Sequence, residues 1–179
     1  MLLESIVQRR SVRKYQNKDI DNSIIYELLE SARLAPSGSN TQPWHFMIIK
    51  DQTKKEKITK IAHNQKWMLT APVFVVCIAD ISVRLSDFKG ELKEGSSQEE
   101  LKQVIRDTSI AIEHIVLQAT YLGLGTCWVS WFMQKDIRPI LQIPNDKYVV
   151  TVLTIGYPDE KPTIKKRKSI VDFVHLEKW

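Results

Sequence analysis

The chain reads as an α+β sandwich in which helices pack on a mixed, mainly antiparallel sheet, and three observations carry that expectation. Val73 to Ile78 is apolar at every position, which suits a central strand covered on both faces. Leu101, Val104, Ile105, Ala111, Ile112, Ile115, Val116, Ala119 and Leu122 keep helical spacing, enough for a core helix of about seven turns. Helical and extended segments alternate without the tight regularity of a doubly wound sheet.

Each element follows from its own pattern. Leu2, Leu3, Ile6 and Val7 fall on one face of a short helix over residues 2–9. Asp21 or Asn22 caps a second helix, in which Ile24, Ile25, Leu28, Leu29 and Ala32 are spaced for one apolar face; Pro36 biases Ala35 out of the helical region and ends it. Trp44 to Lys50 predicts a short buried strand. Thr53 and Glu56 have capping-box spacing at the start of a third helix, with Ile58, Ile61 and Ala62 inward. Residues 84–97 are charged, contain glycine and show no period, so an exposed excursion or short extra helices are expected there. A second capping box, Ser97 to Glu100, opens the long helix, and Gly123 stands where its C-terminus wants a left-handed residue. Gly125 to Val129 departs as a strand. Gln134 to Gln142 predicts a short helix interrupted or started near Pro139, and Tyr148 to Tyr157 a further strand. Past Pro158 the tail is basic and then apolar at Ile170, Val171, Phe173 and Val174, the pattern of a late strand that pairs with something remote such as another subunit.

Composition narrows the function classes. A length of 179 residues with 43% apolar content fits one domain over residues 1–179. No window approaches the roughly 18 consecutive apolar residues of a membrane span, and the first ten residues carry charges where a signal peptide needs its apolar centre. A cytoplasmic protein without membrane contact is therefore expected. Cys77 and Cys127 sit in apolar strand-like runs with neither a CxxC spacing nor nearby histidine ligands, so reduced buried thiols are expected and no metal site. The formal charge of +5 is concentrated at Arg9-Arg10, Arg13-Lys14 and Lys165 to Lys168.

Those clusters are the first candidates for chemistry. RRSVRKY places Arg9, Arg10 and Arg13 around Ser11 just past a helix; guanidinium forks with a hydroxyl suit a phosphate, and a solvated basic face is the alternative. The loop SARLAPSGSNTQPWHF combines turn formers with Asn40 and Gln42 and the apolar walls Trp44 and Phe46, so it either holds a ligand or only connects a helix to a strand. Gly123-Leu124-Gly125-Thr126 follows a helix and precedes a strand, the reverse of the dinucleotide-binding order, but such a turn lets backbone N–H groups approach a planar ligand. No HExxH, GxSxG or P-loop pattern occurs, and Glu113 and His114 face different sides of the long helix. A chain with phosphate binders and a polar-aromatic loop but no evident nucleophile or base is what a cofactor enzyme looks like.

RRSVRKY, APSGSNTQPWHF, HNQKW before TAPVFVV, a long helix ending in GLGTCWV, LTIGYPDEKP and a basic KKRK follow one another over nearly the whole chain. In that order they resemble the flavin-dependent nitroreductase family. The resemblance implies an α/β/α homodimer with a C-terminal arm exchanged between subunits, FMN at the subunit interface and NADH or NADPH as reductant. It implies that Arg9 and Ser11, with Arg10 beside them, meet the FMN phosphate together with Lys165 and Arg167. Arg13 is implied at the N1 and O2 edge of the flavin, Asn64 at the pyrimidine edge, and Gly123, Leu124, Gly125 and Thr126 near N5 and O4. Pro36, Ser37, Gly38 and Asn40, with Gln42 in the same loop, are implied to come from the other subunit. Many relatives carry a lysine where this chain has Trp67, and Lys66 stands next to it. Also implied is a ping-pong transfer through one pocket to a small-molecule acceptor such as a nitroaromatic or quinone. Other possibilities are a dehalogenase-like or enone reductase of the same family, a flavin-binding protein without turnover, and a basic nucleic-acid-binding module; the last lacks interleaved aromatics or a recognition-helix pattern.

Overall fold

A computed structural model describes residues 1–179. Ahead of the sheet come α1 (Glu4–Gln8) and α2 (Asn22–Arg33); β1 (Trp44–Ile49), α3 (Gln52–Ile61), β2 (Val73–Asp80), α4 (Glu99–Tyr121), β3 (Gly125–Val129), α5 (Gln134–Leu141) and β4 (Lys147–Gly156) follow. The four strands form one antiparallel sheet in the order β1-β2-β4-β3. The mixed character expected of the sheet is confined to an isolated parallel bridge between Ser11 and Thr126.

β2 lies between two neighbours and every one of its residues is buried. Its alternate side chains feed two different cores. Phe74, Val76 and Ile78 pack with Ile58 of α3, with Ala62 at that helix's C-terminus and with Ile137 and Leu141 of α5. Val73, Val75 and Cys77 pack with Ile25, Leu28 and Ala32 of α2 and with Ala111, Ile112, Ile115, Val116 and Ala119 of α4. Two helices on each face of one sheet make an α/β/α sandwich, and two dry faces are why the strand shows no alternation in sequence. Gly123 closes the long helix at φ 74, as its position predicts.

Several local expectations are corrected. The third helix is capped by Asp51, whose carboxylate accepts the Lys54 N–H at 2.8 Å, so it starts before Thr53 and no Thr53–Glu56 box forms. The long helix starts at Glu99 with Gln98 as an N-cap whose side chain makes no capping bond, and Ser97 stands outside it. Glu99 and Glu100 in the first turn face the positive end of the helix dipole instead. Pro139 lies inside an uninterrupted α5; both it and Lys135, whose carbonyl it leaves unpaired, are exposed to water. The apolar tail is not a strand but a single 3-10 turn at Ile170–Asp172, closed by a Ser169–Asp172 capping box. The excursion over residues 84–97 contains no helix.

β2 ends on Asp80, which accepts hydrogen bonds from Lys147 Nζ at 2.8 Å, from the Ser82 N–H at 2.8 Å and from Ser82 Oγ at 2.6 Å. Burial alone would raise this carboxyl; Lys147 and Ser82 outweigh it and hold the group at about 2. A depressed carboxylate contributes stability above its unfolded pKa of about 4 and loses it as pH falls through the folded value. Asp80→Asn should therefore cost about 2 kcal/mol near neutral pH, and the difference from wild type should close between about pH 4 and about pH 2 in denaturant titrations.

Candidate functional site

Residues 11–16 form no regular element, yet they are fastened on both sides. The Val12 N–H donates to the Thr126 carbonyl at 2.9 Å, and Ser11 bridges the same residue of β3. On the other flank the Gln16 N–H donates to the Tyr157 carbonyl at 2.8 Å, the Asp159 N–H donates to the Lys14 carbonyl at 2.9 Å, and Tyr15 bridges Pro158. The Arg13 N–H donates to the Glu160 carboxylate, and Lys14 pairs with Asp159 at 2.7 Å. Tyr15 anchors the segment from beneath: its buried hydroxyl donates to the Val12 carbonyl at 2.7 Å and lies 2.8 Å from Thr154 Oγ1. Burial pushes that phenol up, so it stays a neutral donor. Gly125 is required beside this segment, because a Cβ there would sit 2.7 Å from Val12 Cγ2.

This antiparallel fastening folds the tail back onto the N-terminal basic run. The result is a cleft of about 420 Å³ lined by Arg9, Arg10, Ser11 and Arg13 from one end of the chain and Glu160, Pro162, Thr163, Lys165 and Arg167 from the other. Five cationic side chains face one carboxylate, which the Arg13 N–H already engages. Arg10 spends its Nη1 on the carbonyls of Val7 and Arg9 at 2.7 Å each. The side chains of Arg9, Lys165 and Arg167 have no hydrogen-bonding or ionic partner in the protein. Ser11 and Thr163 add hydroxyls, so the lining offers charge and donors to an anion with several oxygens.

A second cleft of about 460 Å³ shares Arg10, Glu160 and Pro162 with the first and continues it to Thr120, Gly123, Leu124 and Gly125. Thr126 is buried next to them, bridged to Ser11. Behind it, burial pushes the Cys127 thiol up, opposed by the Arg13 charge and the Ser11 hydroxyl. Both cysteines are free and buried, as expected. On α4, burial likewise raises the Glu113 carboxyl against the Arg9 and His114 charges, while His114 Nδ1 meets the Ser31 carbonyl at 3.0 Å and so links α4 to α2.

The remaining candidates lie elsewhere. Pro36, Ser37, Gly38, Asn40 and Gln42 line neither cleft. Asn64, with φ 54, and Lys66 stand in the turn ahead of β2, also outside them. Next to Lys66, Trp67 places its ring 5.7 Å from the Arg13 guanidinium, a cation–π distance. Sequence inspection missed Glu160, Pro162 and Thr163 in the lining; the available signal was the position of PDEKP just before the basic tail.

An anion that needs two or more of the free cations should stabilise the protein only while they are present. Millimolar inorganic phosphate should raise the melting temperature of wild type, and the double variant Arg9→Ala/Arg167→Ala should lose most of that rise in the same thermal melts, with added salt weakening the effect.

The model of the Nitroreductase family matches residues 6–67 and 61–157 of this chain. A protein of Methanothermobacter thermautotrophicus is 32% identical over 99% of this chain and 87% of its own length. A Bacillus subtilis protein named FMN reductase (NAD(P)H) is 28% identical over 93% of this chain and 69% of its own length. The solved structure of an FMN-dependent nitroreductase from Clostridium difficile superposes with a TM-score of 0.76 at 28% identity, over 98% of both chains. The chain belongs to the Nitroreductase family.

Proposed function

We propose that this chain is an FMN-dependent NAD(P)H oxidoreductase that acts as a homodimer, each copy a single domain over residues 1–179. One observation carries the proposal: Arg9, Lys165 and Arg167, all without a protein partner, come from opposite ends of the sequence to one cleft beside the Ser11 hydroxyl. That donor set fits the phosphate monoester of FMN, a dianion with several acceptor oxygens. A concave cluster of this kind also suits a small phosphate better than a nucleic acid, which takes a basic stripe. The names of relatives, an FMN reductase and an FMN-dependent nitroreductase, support the same cofactor.

When bound, FMN would supply the redox chemistry, hydride acceptance from a reduced nicotinamide and electron delivery to an oxidised acceptor. The chain's own residues bind and orient. Arg9 and Arg167 offer planar forks and Lys165 a compact charge to the phosphate, with Ser11 as a neutral donor. Arg13 has its backbone tied to Glu160 and its guanidinium near the Trp67 ring. We assign it to the pyrimidine edge, where a fixed cation favours negative charge as it develops. Asn64 and Lys66 belong to the same edge, and the Gly123–Thr126 backbone to the other side of the ring.

Pro36 to Gln42 completes the site from the second subunit. The dimer is supported by apolar side chains with no cover in one chain: Leu2, Leu3, Ile6 and Val7 around α1, and Ile170, Val171, Phe173 and Val174 in the tail. Reductant and acceptor use one pocket in turn, and a nitroaromatic or quinone is the acceptor class we favour.

The purified protein should be yellow and hold about one FMN per chain. Anaerobic NADH or NADPH should bleach it, and a nitroaromatic or quinone should restore the colour; a preparation that is colourless and takes up no FMN would overturn the proposal. Asn40→Leu should weaken FMN binding and dimerisation together, by fluorescence titration and sedimentation, and unchanged values for both would remove that loop from the site.

A further inference from the structure

The loop between α2 and β1 holds Ser39, Asn40 and Gln42 at φ 53, 54 and 48, a conformation that L-residues avoid and that persists only where the surroundings over-determine it. Part of the restraint is local. The Gln42 N–H donates to Ser37 Oγ at 2.9 Å, and Thr41 Oγ1 donates to the Gly38 carbonyl at 3.1 Å.

The rest comes from outside the loop and converges on one residue. The Gly38 N–H donates to Asp107 Oδ2 at 3.1 Å, Arg84 Nη2 donates to the Gly38 carbonyl at 3.0 Å, and the same nitrogen reaches Asp107 Oδ2 at 3.2 Å. Three hydrogen bonds thus close a ring through both polar groups of Gly38. The two side chains are largely withdrawn from water, 18% exposed for Arg84 and 11% for Asp107, so the pair is stiffer than a solvated surface pair. A Cβ on Gly38 would lie 2.3 Å from Arg84 Nη2, so any larger residue there forces the guanidinium out of the ring. The 84–97 excursion that carries Arg84 is fastened at its far end too. Glu91 accepts from Arg138 Nη2 at 3.0 Å, the Leu92 N–H donates to the Asn145 carbonyl at 2.9 Å, and Glu94 accepts the Gln134 N–H at the start of α5.

We propose that Arg84 and Asp107 are positioning residues: they clamp Gly38 and hold the Pro36–Gln42 loop in the strained shape with which it completes the flavin site of the second subunit. The 84–97 excursion is then a brace between that loop and α5. This rests on the loop's place in the flavin site proposed above, and neither residue lines either cleft.

The test uses the full-length protein with Arg84→Ala, Asp107→Asn, their double variant and Glu94→Gln, which loosens only the far end of the brace. Amide hydrogen exchange, read without flavin, should be about tenfold faster over residues 37–42 in each single variant at the clamp, no faster in the double and unchanged in Glu94→Gln. FMN titration should show a dissociation constant raised about tenfold in the same variants, with the reductant KM rising more than kcat falls. If Asp107→Asn does not fold, Gly38→Ala keeps both charges, displaces the guanidinium and should give the same pair of changes. Unchanged exchange in the loop overturns the clamp. Faster exchange with unaltered FMN affinity overturns its positioning role. A wild type that binds no FMN overturns the flavin assignment and this proposal with it, whatever the exchange shows.

Discussion

The structure depends on the clasp between residues 11–16 and 157–160, because that clasp brings like charges together. At an effective dielectric constant of about 20, two cations about 6 Å apart repel by about 3 kcal/mol. Neutral hydrogen bonds at roughly 1 kcal/mol each must offset it, and the clasp supplies several: Val12 to Thr126, Gln16 to Tyr157, Asp159 to Lys14, with Tyr15 beneath. Lys14–Asp159 and the Arg13 N–H to Glu160 put two carboxylates where they dilute the positive field. A dianion in the cleft converts the remaining repulsion into attraction. With the FMN phosphate in this cleft, as proposed, cofactor binding and tail docking would be coupled through the same charges.

The sandwich makes the clasp possible by setting where β3 and β4 end. β4 runs through the sheet next to β2 and delivers Tyr157 and Pro158 to the same end of the molecule at which β3 begins with Gly125 and Thr126. α4 ends there as well, and Gly123 turns its chain directly into β3. The basic cleft and the glycine turn are neighbours because three elements terminate together. The 36–42 loop belongs to a different part of the fold, tied through Gly38 to Asp107 and Arg84. A single chain that separates these two groups of residues is consistent with a site assembled from two copies.

Much of this was legible in the sequence wherever one local cause dominates. The run VFVVCI gave away a doubly covered strand, the spacing from Leu101 to Leu122 gave the long helix, and Gly123 gave its end. Helix starts were less legible because capping signals compete: Asp51 two residues ahead of Thr53 supplied a working cap, and no local rule ranks the two. The tail misled for a different reason. Ile170 to Val174 has strand composition, but a strand needs an edge to pair with, and within one chain the Ser169–Asp172 box closes a turn first. At the cleft, both basic clusters could be named in advance but not the contacts that join them, since Glu160 and the Tyr15 anchor are long-range, and so, elsewhere in the fold, is the Arg84–Asp107 clamp. Trp67 is the instructive case: read as a lost lysine, it instead stands by Arg13.

The most direct test of the central claim concerns the charge state of the bound phosphate. A monoester phosphate in water takes up its second proton near pH 6, but one held by Arg9, Lys165 and Arg167 should stay dianionic well below that. Phosphorus-31 NMR of FMN bound to the wild-type protein should show a resonance that does not titrate between about pH 5.5 and about pH 7.5, and a titrating one after Arg9→Ala/Arg167→Ala. A bound phosphate that titrates like free FMN in the wild-type protein would contradict the account, because the free cations of the cleft would then not be holding it.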